Sequence, residues 1–318
     1  MDRRSFLIRT GVIAGAVGGG WWLKDHVLWR APGVAFAADG RTPWMPYVSR
    51  VLSPTVSLRL AGRDVTALVD SGAQYSVIDK TFHEAIAADL GPRPLFDIPL
   101  VAYGVGGQPQ MGQGVRLDVA MEGLSLTGLR CAILDLGPLA DDRGLSAPLI
   151  LGQDVLKLMQ LELDLNDRRL RLHAAGQVAP AGQWTRLPVR RRGTSLVAPV
   201  QVEGHPLEAV VDTGATSILS LSGRAAEDAG LRDGRTVTAG DSLVLGGSVR
   251  ADVVQVDHLA AAGQTFTNVP VPIYGAVGLP GLPTALLGMQ AFRDQGLLVD
   301  VGGGALYRTA QLDLTVVQ

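Results

Sequence analysis

Cysteine is all but missing from this chain: Cys131 is the only one in 318 residues. No disulfide can form within the chain and no cysteine-built zinc site can exist, so a buried structural thiol is the expectation for Cys131. A charge excess of one sign is missing too. Lys plus Arg number 28 and Asp plus Glu 30, a net charge of −2, which offers no field for a nucleic-acid partner. The five histidines, His26, His83, His173, His205 and His258, are scattered without a second ligand at metal spacing. His83-Glu84 begins like a zinc-protease motif, but position 87 is Ala. Neither a metal nor any other cofactor is expected. There is no Gly-x-Ser-x-Gly elbow and no Walker loop.

What the chain does have is apolar material, 47% hydrophobic residues, in a length that suits two domains of ordinary size. Gly (40) and Pro (18) are plentiful and the apolar runs between them short, the pattern of many strands separated by turns. Near the N-terminus Arg3 and Arg4 stand directly before Phe6 and Leu7, and a weakly hydrophobic, Gly-rich stretch follows from Gly11 to Leu23. This resembles a twin-arginine export signal. Ala35-Phe36-Ala37 offers a small-residue cleavage site, although Lys24, Asp25, His26 and Arg30 make an unusually long polar gap before it. Residues 1–37 are therefore expected to be a leader read by the twin-arginine export machinery, placing the mature chain in the bacterial periplasm or outside the cell. The alternative is an uncleaved membrane tether, but the thirteen residues as helix reach only about 20 Å against a hydrocarbon core of about 30 Å.

Self-comparison organises the rest. Asp64-Val-Thr-Ala-Leu-Val-Asp70-Ser71-Gly72-Ala73 is answered by Leu207-Glu-Ala-Val-Val-Asp212-Thr213-Gly214-Ala215. Ser76-Val77-Ile78 is matched with Ser217-Ile218-Leu219, and Leu149-Ile-Leu-Gly152-Gln153-Asp154 with Ala285-Leu-Leu-Gly288-Met289-Gln290. Leu161-Glu-Leu-Asp164 is matched with Leu297-Leu-Val-Asp300, and the Gly-rich tip Val105-Gly106-Gly107 with Leu245-Gly246-Gly247. The same landmarks recur in the same order, so the chain is a duplication, with lobes over 38–176 and 177–318. Two short helices are expected. One follows Asp79 as cap, with Phe82, Ile86 and Leu90 at helical spacing and a stop at Gly91-Pro92. The other runs from about Ser222 to Ala229. Everything else favours strands, and Arg190-Arg191-Arg192 is read as a solvated edge.

An isolated Asp-Ser/Thr-Gly is usually a turn. Two of them, each closing an apolar strand at equivalent points of a repeat, point to chemistry. A carboxylate buried at the junction of two lobes is costly unless a partner shares its charge. A twofold arrangement would supply one by bringing Asp70 and Asp212 together, so that the pair holds one proton between them. One carboxylate would then take a proton from a bound water while the other carboxyl donates to a peptide carbonyl. Gly72 and Gly214 leave room where backbones approach. Ser71 and Thr213 can bond across the axis, or alternatively to their own turns.

These paired turns, each followed by an aliphatic-aliphatic-Gly element, resemble the retropepsin and pepsin superfamily of aspartic peptidases over about residues 50–175 and 195–308. Ala73, Ala215 and Leu151-Gly152-Gln153-Asp154 are most similar to the retroviral-type branch. The resemblance implies an all-β fold with short helices, made of two pseudo-twofold barrel-like lobes. It also implies a polypeptide substrate lying between them and Tyr103-Gly104-Val105-Gly106-Gly107 as a flap over it. Covalent fusion would make the catalytic unit a monomer. A catalytically silent peptide-binding or regulatory module of the same fold is the alternative function.

Overall fold

In the computed structural model the described residues are 30–91, 96–102, 110–142, 144–178, 183–244, 247–274 and 284–310. Over these residues the chain is all-β with three short α-helices, in two lobes that share a central sheet. In the first lobe, strands Leu124–Leu134, Val77–Asp79, Leu149–Leu151, Arg63–Val69, Thr55–Leu60 and Gln110–Met121 pair in that order. A further pairing of Gln110–Met121 with Leu124–Leu134 closes the ring into a six-stranded barrel. The second lobe repeats the plan with Ser195–Val202, His205–Val211, Ala285–Leu287, Leu219–Ser222, Gln264–Tyr274 and Gly247–Ala261, closed by pairing of the first with the last.

Alternation sets the inward faces: along Thr55–Leu60 the side chains of Val56, Leu58 and Leu60 are buried while Ser57 and Arg59 face out. The hairpins that follow turn on left-handed pairs, Ala61-Gly62 (φ 51 and 77°) and Glu203-Gly204 (φ 49 and 81°). Two consecutive positive φ values match the right-handed twist of the flanking strands, and Gly takes the second place at no steric cost. Cys131 lies in the first core, fully buried, and burial pushes its thiol up well above the ordinary range.

Helix α1 spans Lys80–Leu90, with Asp79 as cap accepting from the Phe82 N–H at 2.9 Å and Gly91 ending it at φ 67°. Helix α2, Gln153–Leu156, is a single turn after Gly152. Helix α3 spans Gly223–Asp228, capped by Ser222, whose hydroxyl accepts from the Ala225 N–H at 3.2 Å. At the matching place in the second lobe Met289-Gln290 stands where the first has Gln153-Asp154, and the chain there forms a 3-10 turn, Met289–Phe292, instead of a second α2.

Between the barrels runs a six-stranded sheet in the order Trp184–Arg186, Ala305–Thr309, Gly296–Asp300, Met159–Asp164, Arg169–Ala174, Met45–Pro46. Its central pair is reciprocal, with Leu161 opposite Val299 and Leu163 opposite Leu297, so the twofold passes between Glu162 and Leu298. On this sheet Glu162 takes bonds from both Arg171 and His173, the latter at 2.7 Å. Arg190–Arg192 is an exposed edge strand of the second barrel.

One element precedes the expected lobe boundary. Gly33–Phe36 pairs antiparallel with Leu124–Thr127, and Val34 and Phe36 pack on the core of the first lobe. The Ala37 N–H continues the ladder to the Gly123 carbonyl at 2.9 Å. A chain beginning at Ala38 is therefore expected to be less stable by about 2–4 kcal/mol, from the apolar area of two side chains and the lost ladder. Chemical denaturation of the two forms checks it, and equal midpoints would show the strand to be dispensable. Among the described residues no helix is long and apolar enough to cross a membrane.

Candidate active site

The strand Arg63–Val69 ends at Asp70, and His205–Val211 ends at Asp212. Each strand pairs in parallel with the strand before the second landmark of its lobe, Val69 with Leu151 and Val211 with Leu287. The turns are fixed from behind by main chain. Gln153 N–H donates to the Ala73 carbonyl at 2.8 Å, and Met289 N–H to the Ala215 carbonyl at 2.9 Å. Gly152 and Gly288 allow this approach: a Cβ at Gly152 would sit 2.8 Å from the Ala73 oxygen, and one at Gly288 2.3 Å from the Ser217 oxygen.

Across the axis the contacts are reciprocal. Ser71 N–H donates to Thr213 Oγ1 at 2.9 Å, and Thr213 N–H donates to Ser71 Oγ at 3.0 Å. Each hydroxyl then donates onward to the opposite strand, Ser71 to the Val211 carbonyl at 2.8 Å and Thr213 to the Val69 carbonyl at 2.7 Å. Both side chains are buried, so four main-chain groups and the two hydroxyls are satisfied without water. The hydroxyls thus bond across the lobes rather than within their own turns.

This brace brings the carboxyls together. Asp70 Oδ1 accepts from Gly72 N–H at 2.7 Å and Ala73 N–H at 3.2 Å; Asp212 Oδ1 accepts from Gly214 N–H at 2.8 Å and Ala215 N–H at 3.2 Å. A Cβ at Gly72 would lie 2.5 Å from Asp212 Cγ, and one at Gly214 2.7 Å from Asp70 Cγ, so glycine is needed at both places. Desolvation raises the proton affinity of both carboxyls. For Asp212 the neighbouring Asp70 charge adds to it, and its carboxyl is held well above the ordinary range. For Asp70 a hydrogen bond from Asp212 and the amides of Gly72 and Ala73 offset part of the rise. The pair therefore holds a proton between its two carboxyls where isolated carboxyls would be bare.

Of the residues singled out in the sequence, Asp70, Ser71, Gly72, Ala73, Asp212, Thr213, Gly214 and Ala215 come together at this one place. Tyr103, Gly104, Val105, Gly106 and Gly107 lie outside the described residues. The strands that lead to them, Phe96–Ala102 and Gln110–Met121, pair up to Ala102 opposite Gln110. In the second lobe Val237–Val244 pairs with Gly247–Ala261 as far as Val244 opposite Gly247, while Leu245 and Gly246 lie outside. An open apolar pocket of ≈ 460 Å³, lined by Leu187, Ala198, Val200, Ala261, Leu287 and Leu306 among others, belongs to the second lobe and does not include either carboxylate.

Sequence comparison within the chain misses three polar supports. Ser53 Oγ donates to the Gly214 carbonyl at 2.8 Å. Ser76 Oγ bonds Asp154 at 2.9 Å and accepts from Gly152 N–H at 3.1 Å. Gln153 reaches the Ser71 carbonyl at 2.6 Å and Ser195 Oγ at 3.0 Å. The signal that could have found them is a polar residue inside a run otherwise destined for burial.

Two barrels joined by a shared sheet, with reciprocal acidic turns at the junction, define a fused two-lobed acid-protease fold. A family model described as aspartyl protease matches residues 56–155 and again 198–291, one segment per lobe and well over half of the chain. The chain belongs to the aspartyl protease family. No curated protein matches it.

Proposed function

We propose that this protein is an aspartic endopeptidase that hydrolyses bonds within an extended polypeptide, using Asp70 and Asp212 on one water. The observation that carries this is the reciprocal brace of Ser71 and Thr213, which sets two desolvated carboxyls in hydrogen-bond contact. A binding surface gains nothing from that arrangement, whereas general acid–base hydrolysis requires it. Asp70 takes the proton of the attacking water and Asp212 donates to the carbonyl oxygen; no covalent intermediate forms. Both lobes come from one chain, so the catalytic unit is a monomer.

The test is incubation of the purified protein with a diverse peptide library in H₂¹⁸O, with products read by mass spectrometry. Internal cuts whose new carboxyl ends carry one ¹⁸O are expected. Ala73 and Ala215 present no hydroxyl to the carboxyls, so the optimum should fall at mildly acidic or near-neutral pH. An optimum near pH 2 would contradict that part, and no cleavage between pH 3 and 8 would end the reading. We place the protein outside the cytoplasm, exported folded through Arg3 and Arg4. Replacing both by Lys should leave the precursor in the cytoplasmic fraction; unchanged export would remove the assignment.

A further inference from the structure

We propose that Gln153 is a positioning residue that selects which member of the dyad carries the charge. Acting through the Ser71–Gly72 peptide, it makes Asp70 the proton acceptor and leaves Asp212 the donor. This rests on the peptidase reading above, and the geometry that carries it is local to the two turns.

Gln153 is 1% exposed. Its Nε2 donates to the Ser71 carbonyl at 2.6 Å and to Ser195 Oγ at 3.0 Å, and its Oε1 accepts from the Thr194 hydroxyl. The peptide unit whose carbonyl it binds is the same unit whose N–H, on Gly72, donates to Asp70 Oδ1 at 2.7 Å. Donation to a carbonyl oxygen draws electron density away from the peptide nitrogen and makes its N–H a stronger donor. Bonds in such a chain strengthen one another by roughly 10–30% each. A stronger donor at Asp70 favours its charged form.

Among its described residues the second lobe lacks this device. Met289 follows Gly288 as Gln153 follows Gly152, and its main chain makes the matching bond, but a thioether has no hydrogen to give. What stands there instead is Ser53, whose hydroxyl binds the Gly214 carbonyl at 2.8 Å. The N–H of that peptide unit, on Ala215, reaches Asp212 Oδ1 at 3.2 Å, a longer and weaker last link. The two relays are therefore unequal, and the stronger one ends on Asp70. Among the described residues, the other groups facing the carboxyls are the amides of Ala73 and Gly214 and each carboxyl's own partner. The titratable side chain next on α2, Asp154, is tied to Ser76.

The experiment titrates the whole protein with ¹³C-labelled Asp carboxyls, the two signals assigned from Asp70→Asn and Asp212→Asn, beside the pH profile of kcat/KM. In the parent the Asp70 signal should move at lower pH than that of Asp212. In Gln153→Met, which copies the second lobe, the lower step should rise and draw the Asp212 step closer. kcat on the acidic limb should fall about threefold to tenfold with KM little changed, a fraction of the 10²–10⁴ that a general base contributes. Ser53→Ala, a smaller change, should do the reverse and spread the steps further apart. Thr194→Val with Ser195→Ala frees Gln153 from the second lobe but keeps its bond to Ser71; it should lower the unfolding temperature and, with only the first link of the chain removed, move the steps less than Gln153→Met does. The proposal is overturned if Gln153→Met titrates like the parent, or if Ser53→Ala does should Gln153→Met not fold. It is equally overturned if the Thr194/Ser195 pair moves the steps as far as Gln153→Met. Shifted titrations in a protein that cleaves no peptide would uphold the relay and remove the peptidase reading.

Discussion

Asp212→Asn is expected to lower peptide hydrolysis by about four orders of magnitude or more and, at neutral pH, to raise the temperature at which the protein unfolds. The loss follows from role: the amide keeps the shape of the site but is not an acid that can surrender a proton to the carbonyl oxygen, and groups acting as a unit fail together. Asp70→Asn should do as much, because it removes the base. The gain in stability follows from linkage. Desolvation and the Asp70 charge raise the proton affinity of Asp212 in the folded state. Between the unfolded carboxyl value of about 3.9 and the higher folded value, the folded protein binds more protons than the unfolded chain. Its stability must then fall as pH rises through that window. The deficit is absent below the window and complete above it. Asn does not ionise, so the variant escapes the loss, and each kcal/mol recovered shows as about 2–4 °C. Parent and variant should melt together near pH 3 and diverge toward pH 7. A constant difference at all pH values would mean that Asp212 is not held protonated by its surroundings.

Much of this architecture was legible because it is written twice. Asp79 reads as a helix cap from its own neighbourhood, since Phe82, Ile86 and Leu90 follow at helical spacing, and α1 begins at the next residue. The two acidic turns stand out because each interrupts an apolar strand at the same point of a repeat. Register was harder to read. Matching Ser76-Val77-Ile78 with Ser217-Ile218-Leu219 follows residue similarity, but the structure pairs differently. Asp79 N–H binds the Pro148 carbonyl and Ser222 N–H the Thr284 carbonyl, each at 2.8 Å, so the two cap residues are the equivalents. Nine positions separate Asp70 from Asp79 and ten separate Asp212 from Ser222, so the second turn is one residue longer. Val77-Ile78 therefore corresponds to Ser220-Leu221. Short aliphatic runs look alike when slid by one place, whereas hydrogen bonds do not.

The supports that break the symmetry were hidden for a related reason. Comparison of two halves rewards what they share, and Gln153 against Met289 registers only as a mismatch. Its meaning appears when the amide is seen to end on the Ser71 carbonyl, a partner 82 residues earlier in the chain. Gly33–Phe36 was obscured differently. Small residues flanking an aromatic read equally well as a cleavage site or as an edge strand, and only the ladder to Leu124–Thr127 tells the second story.

Thr213→Val is expected to destabilise the protein by about 2–5 kcal/mol, although the side chain keeps its size and branching. Thr213 is fully buried, and its hydroxyl serves two main-chain groups of the other lobe, the Ser71 N–H and the Val69 carbonyl. A methyl in its place orphans both, at about 1–3 kcal/mol each. The unfolding temperature should fall by about 4–20 °C at the conversion that suits a chain of this length. Thr213→Ser, which restores the oxygen and drops only a methyl, should recover most of the loss. Activity should fall further than stability alone explains, because the same two bonds hold the strand that ends at Asp70. If Thr213→Val melts with the parent while Thr213→Ser does not, packing of the methyl rather than the cross-lobe bonds holds the lobes in place, and the carboxyls owe their meeting to the shared sheet.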